Sequence, residues 1–255
     1  MAENGRRRIH LLDEVRGFAI LCMVFFHAFY TMAGVFDMEL GRTLLAFFRP
    51  AVPFFAGGFV LISGISCRLT RSNGKRGLRL LGIALALTLV TWALQEFAGF
   101  ADLVIWFGIL HLLAVCMLLY ALLGRWADKI PFPAALALWG VLFAVTYPLE
   151  DGTLWLFGFQ VALPAALTSC PYLFPLGIVA EGFYSADYYP LLPWVFLFFL
   201  GANLGRWFAA GQLPEWFYKK HVPPFAFCGR YTLWIYLAHQ PVIFGLLWVV
   251  TQIVK

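Results

Sequence analysis

Long apolar stretches alternate along this chain with short clusters of charged residues, proline and glycine, and the alternation predicts membrane-spanning helices. A span needs about 20 mostly apolar residues. Seven stretches qualify, at about 17–36, 51–67, 79–96, 103–123, 132–147, 190–208 and 230–252. The second is entered through Pro50 and Pro53 and is rich in small residues (Ala56, Gly57, Gly58, Ser63, Gly64, Ser66), which let helix backbones approach closely. Asp37, Glu39, Arg42 and Arg49 mark the connection before it, part of which reads as an amphipathic surface turn. Segment 148–189 breaks the pattern. It carries Glu150, Asp151, Glu181 and Asp187 without lysine or arginine, and Pro148, Pro164 and Pro171 punctuate it. Short interfacial or re-entrant helices over the bundle are expected there, and an extra pair of crossings is left open. No repeat or low-complexity linker divides the chain, so the expected fold is one all-α transmembrane domain over 1–255.

Composition agrees. The 255 residues are 62% hydrophobic and 12% charged, half the roughly 25% charge of a soluble domain. The net charge of +5 does not by itself suggest nucleic acid; its distribution says more. On an alternating seven-helix path one side receives Arg6, Arg7, Arg8 and Arg16, then Arg68, Arg71, Lys75, Arg76 and Arg79, then Arg125 and Lys129, then Arg206, Lys219, Lys220 and Arg230. The other side receives Arg42, Arg49 and Lys255 with eight of the thirteen acids. Positive charge collects on the cytoplasmic side, so the N-terminus is expected in the cytoplasm. The five cysteines have no paired spacing, and neither a disulfide framework nor a metal site is expected.

The first span contains an anomaly. In LLDEVRGFAILCMVFFHAFY, His27 stands in an apolar run that follows Arg16. Eleven steps of about 100° bring both side chains to one helix face, about 16 Å apart along the axis. Arg16 then sits at a membrane surface and His27 near the midplane, where an ionisable group is costly and is read as functional. His111 lies nine residues after Asp102, and His239 nine residues after Arg230. Each is therefore roughly 13–14 Å from its own surface, and the three histidines are expected to converge at one depth. A single intramembrane histidine can equally fasten two helices through a carbonyl.

Weaker candidates surround these. Tyr236 and Gln240 flank His239 just before Pro241, which frees a backbone carbonyl. Gln240 has the chemistry to orient a histidine or a substrate. Asp187, in the outer loop, either binds a polar acceptor or caps a turn. The basic run Arg68, Arg71, Lys75, Arg76 and Arg79 reads as a topology signal that binds anionic lipid heads, or as attraction for a phosphorylated donor.

The run LLDEVRGFAILCMVFFHAFY resembles the opening of the heparan-alpha-glucosaminide N-acetyltransferase catalytic-domain family of bacterial membrane proteins. FFAGGFVLISGISCRL, FGILHLLAVCMLLY, SADYYPLLPWVFLFFLGANLGR and GRYTLWIYLAHQPVI resemble its later blocks in the same order. The spacing of Arg16 and His27 is similar to the signature of the related acyltransferase-3 membrane proteins. Around Met38, where the first family's pattern places a histidine, this chain has none, so the acyltransferase-3 pattern is expected to carry the chemistry.

The resemblance implies a multi-pass acyltransferase of the bacterial inner membrane. It would take an acyl group, expected to be acetyl, from cytosolic acyl-CoA and pass it to a sugar or glycan acceptor on the outer face. His27 would be the base, assisted by Arg16, His111 and His239, and the basic run would hold the CoA phosphates. Gln240, Tyr236 and Asp187 would meet the acceptor. No metal is implied, and a homodimer is allowed. The rival is a proton-coupled transporter using His27, His111 and His239 as a relay.

Overall fold

The computed structural model describes residues 7–254. Arg6 and Lys255, which enter the charge asymmetry, lie outside the described residues. The helices are α1 (His10–Gly34), α2 (Glu39–Phe48), α3 (Val52–Arg68), α4 (Asn73–Ala98), α5 (Ile109–Ala127), α6 (Phe132–Thr146), α7 (Ala165–Thr168), α8 (Trp194–Ala210), α9 (Pro223–Arg230) and α10 (Thr232–Val254). Among the described residues, six helical stretches are long and apolar enough to cross a membrane. The expected connection between the first two spans is itself helical: α2 passes through a 3-10 turn at Arg49–Ala51 into α3, giving one run from Glu39 to Arg68. Helix α8 is apolar but has 17 residues, about 25 Å of rise against a hydrocarbon core of about 30 Å. The described chain is therefore a helical membrane bundle.

It comprises two compact units. One takes the chain up to Ile62 together with the part from Gly211 onward; the other is Ser63–Ala210.

In the first unit α1 packs against α2, α9 and α10. Its contact with α9 is a backbone contact. A Cβ at Gly17 would lie 1.8 Å from the Phe225 carbonyl oxygen, and one at Gly229 would lie 1.8 Å from that of Asp13. Only glycine at both places lets the helices meet. The entry to α9 is fixed from α1 as well: Oε1 of the buried Glu14 accepts from the backbone N–H of His221 at 2.7 Å and of Val222 at 3.1 Å. Val222 is the N-cap residue of α9 and His221 the residue before it, so Glu14 holds the chain where it enters the helix.

In the second unit α4 and α5 run antiparallel, with Gly77 against Met117 and Thr88 beside His111. The fourth span begins at Ile109 and not near 103. Residues before it run back along α4 in an irregular path, and α4 side chains satisfy their backbone. Gln95 Oε1 accepts from Leu103 and Val104 N–H, Thr91 Oγ1 accepts from Ile105 N–H, and Thr88 donates to the Ile105 carbonyl at 2.6 Å. Non-helical backbone in a membrane bundle needs such partners. The sixth expected span likewise starts late, at Trp194 just after Pro193.

Segment 148–189 differs in kind. In addition to α7 and short 3-10 turns, it contains an antiparallel hairpin of β1 (Thr153–Leu156) and β2 (Phe159–Ala162). Its two-residue turn, Phe157–Gly158, has positive φ at both positions, which matches the twist of hairpin strands. Farther on, residues 185–189 pair with the irregular path: Ala186 N–H donates to the Val104 carbonyl and Tyr189 N–H to that of Phe107.

Candidate functional site

Two of the three histidines meet in the first unit. The rings of His27 on α1 and His239 on α10 have centroids 4.8 Å apart and are inclined by 57°. His239 is buried and His27 partly exposed. Gln240 lies beside them. Its Nε2 donates to His27 Nδ1 at 3.1 Å, and its Oε1 accepts from the Thr31 hydroxyl at 3.4 Å. His239 Nδ1 donates to the backbone carbonyl of Tyr236, one turn earlier.

These partners assign the protons. A carbonyl only accepts, so His239 carries its proton on Nδ1 and its basic lone pair on Nε2. The Gln240 amide nitrogen only donates, so the neutral His27 ring has its lone pair on Nδ1 and its proton on Nε2. Two adjacent imidazoles thus stand in opposite tautomers. Tyr236 contributes its backbone carbonyl to the cluster. Thr31, buried and hydrogen-bonded to Gln240, is absent from the sequence-based candidates; its place four residues after His27, one turn along the same face, was the available signal.

His111 belongs to the second unit, where both ring nitrogens have protein partners. Gly108 N–H donates to its Nδ1 at 3.2 Å, which puts the proton on Nε2, facing Thr88 Oγ1 at 3.3 Å. His111 therefore caps the start of α5 and ties it to α4. Asp187 serves the same helix end: its Oδ2 accepts from Ile109 N–H at 3.1 Å. Of its two expected roles, capping is the one the contacts display.

Arg16 lies in a cluster at the N-terminal end of α1. Its Nη1 is 3.0 Å from Asp13, whose other oxygen is 2.7 Å from Arg8. The unbroken α1 keeps Arg16 and His27 on one face.

The basic run divides. Arg68 grips Asp128 with both terminal nitrogens and donates from Nε to the Ala202 carbonyl at 3.3 Å. Arg71, Lys75, Arg76 and Arg79 are exposed around the start of α4, where the helix dipole adds positive potential. Exposed guanidinium and ammonium groups at a helix start suit phosphate. Among the described residues no group of three or more His, Cys, Asp or Glu side chains is placed to hold a metal ion. An apolar cavity of about 560 Å³ in the second unit, lined by Trp126, Trp139, Phe196 and Phe199 among others, has no titratable group in its lining.

No curated protein and no solved structure matches the chain. A family sequence model described as heparan-alpha-glucosaminide N-acetyltransferase, catalytic, matches residues 8–241, which takes in Arg16, Thr31, both histidines of the pair and Gln240. With that match spanning most of its length, the chain belongs to the heparan-alpha-glucosaminide N-acetyltransferase catalytic family, a family of transferases.

Proposed function

We propose that the protein is an acyl-CoA-dependent acyltransferase that moves an acyl group, acetyl in the first instance, from the cytosolic side of a bacterial inner membrane to a sugar or glycan hydroxyl or amine on the outer side. Family membership over residues 8–241 carries the transferase part. The meeting of His27 and His239 within 4.8 Å supports placing the proton chemistry there. A neutral imidazole accepts a proton from the attacking hydroxyl or amine as it adds to the thioester carbonyl; such a positioned base contributes about 10²–10⁴-fold. The N-terminus is cytoplasmic, following the distribution of arginine and lysine. Arg71, Lys75, Arg76 and Arg79 attract the CoA phosphates, and Arg16 anchors α1 at the inner surface.

The rival three-histidine relay needs His111 to pass protons, and both of its nitrogens are already engaged by Gly108 and Thr88. Purified protein in sealed vesicles, given labelled acetyl-CoA on one side and oligosaccharide on the other, tests the proposal. Release of CoA thiol with label on the sugar is the expected result. Accumulation of unmodified solute driven by a pH gradient, without thiol release, is the transporter's result.

A further inference from the structure

The two rings need not do the same work, and their hydrogen bonds separate them. His239 is held by the Tyr236 carbonyl with its proton on Nδ1, so Nε2 is the nitrogen able to take a proton. His27 is held by the Gln240 amide with its proton on Nε2, so that edge of the ring can only donate. On the other side of the same amide, Gln240 Oε1 accepts from the Thr31 hydroxyl at 3.4 Å. A base and a donor therefore stand 4.8 Å apart, centroid to centroid.

We infer that His239 is the general base and His27 the hydrogen-bond donor to the thioester carbonyl, with Gln240 and Thr31 as positioning residues that select the His27 tautomer. The inference rests on the acyl-transfer proposal above and assigns roles within it. The acceptor O–H or N–H gives its proton to His239 Nε2 while its heteroatom forms a bond to the carbonyl carbon. The oxyanion that develops receives the N–H of His27. The carbon–sulfur bond then breaks, the CoA thiolate takes the proton from the His239 imidazolium, and both rings return to their starting tautomers. The sum is acceptor–OH plus acyl–S–CoA giving acceptor–O–acyl plus HS–CoA. The family resemblance implies His27 as base; the Gln240 contact favours the donor role for it instead.

The first test needs no substrate. Nitrogen-15 NMR of histidine-labelled full-length protein in nanodiscs reports which ring nitrogen is protonated, with each histidine assigned by single substitution. The expected spectrum has His239 protonated on Nδ1 and His27 on Nε2, and Gln240→Leu lets His27 populate both forms. His27 protonated on Nδ1 in the unsubstituted protein, or a spectrum unmoved by Gln240→Leu, overturns the assignment. The second test uses vesicle acyl transfer. His27→Gln retains an N–H donor and is expected to stay within about tenfold of the original rate. His239→Gln has no base and is expected to lose about 10²–10⁴-fold. The reverse order overturns the division of roles while leaving acyl transfer standing. An unsubstituted protein that consumes no acyl-CoA overturns acyl transfer itself, and the roles with it.

Discussion

Arg68 and Asp128 form a two-pronged ion pair, at 2.7 and 2.6 Å, that joins the end of α3 to the loop after α5. Arg206 stands 3.9 Å from the same carboxylate and donates to the Ala127 and Ile130 carbonyls. Two arginines and an acid thus hold three helix ends together. Arg68→Ala is expected to lower stability by about 1–3 kcal/mol, the scale of charged hydrogen bonds, with little change in KM for acyl-CoA. Neutralising Arg71, Lys75, Arg76 and Arg79 together should do the opposite, raising KM at low salt while leaving the melting temperature nearly unchanged. Thermal unfolding in detergent and initial rates at two ionic strengths separate the cases.

His111 supplies a second contrast. Its ring accepts from Gly108 and faces Thr88, so His111→Ala leaves a buried backbone donor without that acceptor. A loss of about 1–3 kcal/mol is expected, measured by denaturation, while the rate per folded molecule stays within a few-fold. Thr88→Val should reproduce part of the loss through the Ile105 carbonyl.

Helices α1 and α9 tolerate no side chain where they cross. Gly17→Leu or Gly229→Leu would drive a Cβ into a carbonyl oxygen 1.8 Å away, and neither backbone can yield without displacing the Glu14 cap of α9. Overpacking costs about 1–3 kcal/mol where neighbours relax, and here backbone is the neighbour. Loss of folded protein in size-exclusion chromatography is expected for both. Gly34→Ala, with open space around it, should be neutral.

At the surface, Arg7 and Glu215 pair at 2.7 and 2.8 Å. The hydrogen bond from Arg7, helped by its charge, holds the Glu215 carboxyl below its ordinary value of 4.5. A carboxylate lowered in the folded state stabilises above its unfolded pKa and loses that contribution as pH falls through the folded value. Both side chains are exposed, so the pair contributes little and salt screens it. NMR titration should place the Glu215 midpoint lower in the unsubstituted protein than in Arg7→Ala, and the gap should shrink at high salt.

The apolar periodicity located the helices well, because a span must be nearly continuous and about 20 residues long wherever it occurs. The start of α5 was not legible: the apolar run from Leu103 reads as helix, and only Gln95, Thr91 and Thr88 on another helix reveal why its backbone can remain irregular. The hairpin at 153–162 escaped for a local reason. Its turn is Phe157–Gly158, without the Asn-Gly or Asp-Gly pair that signals such turns. At the site, the residue types of His27 and His239 were readable. Which nitrogen carries each proton was not, since it depends on Gln240 and Tyr236 meeting the rings in space.

Acyl transfer at the α1–α10 pair is tested most directly by the rate of label transfer from acetyl-CoA to an oligosaccharide in sealed vesicles bearing His27→Ala, with folding checked on the same sample. Removal of that hydrogen-bond donor is expected to reduce the rate by about 10²–10³-fold. A rate equal to that of the unsubstituted protein would mean that His27 only fastens α1 to α10 and that the chemistry lies elsewhere.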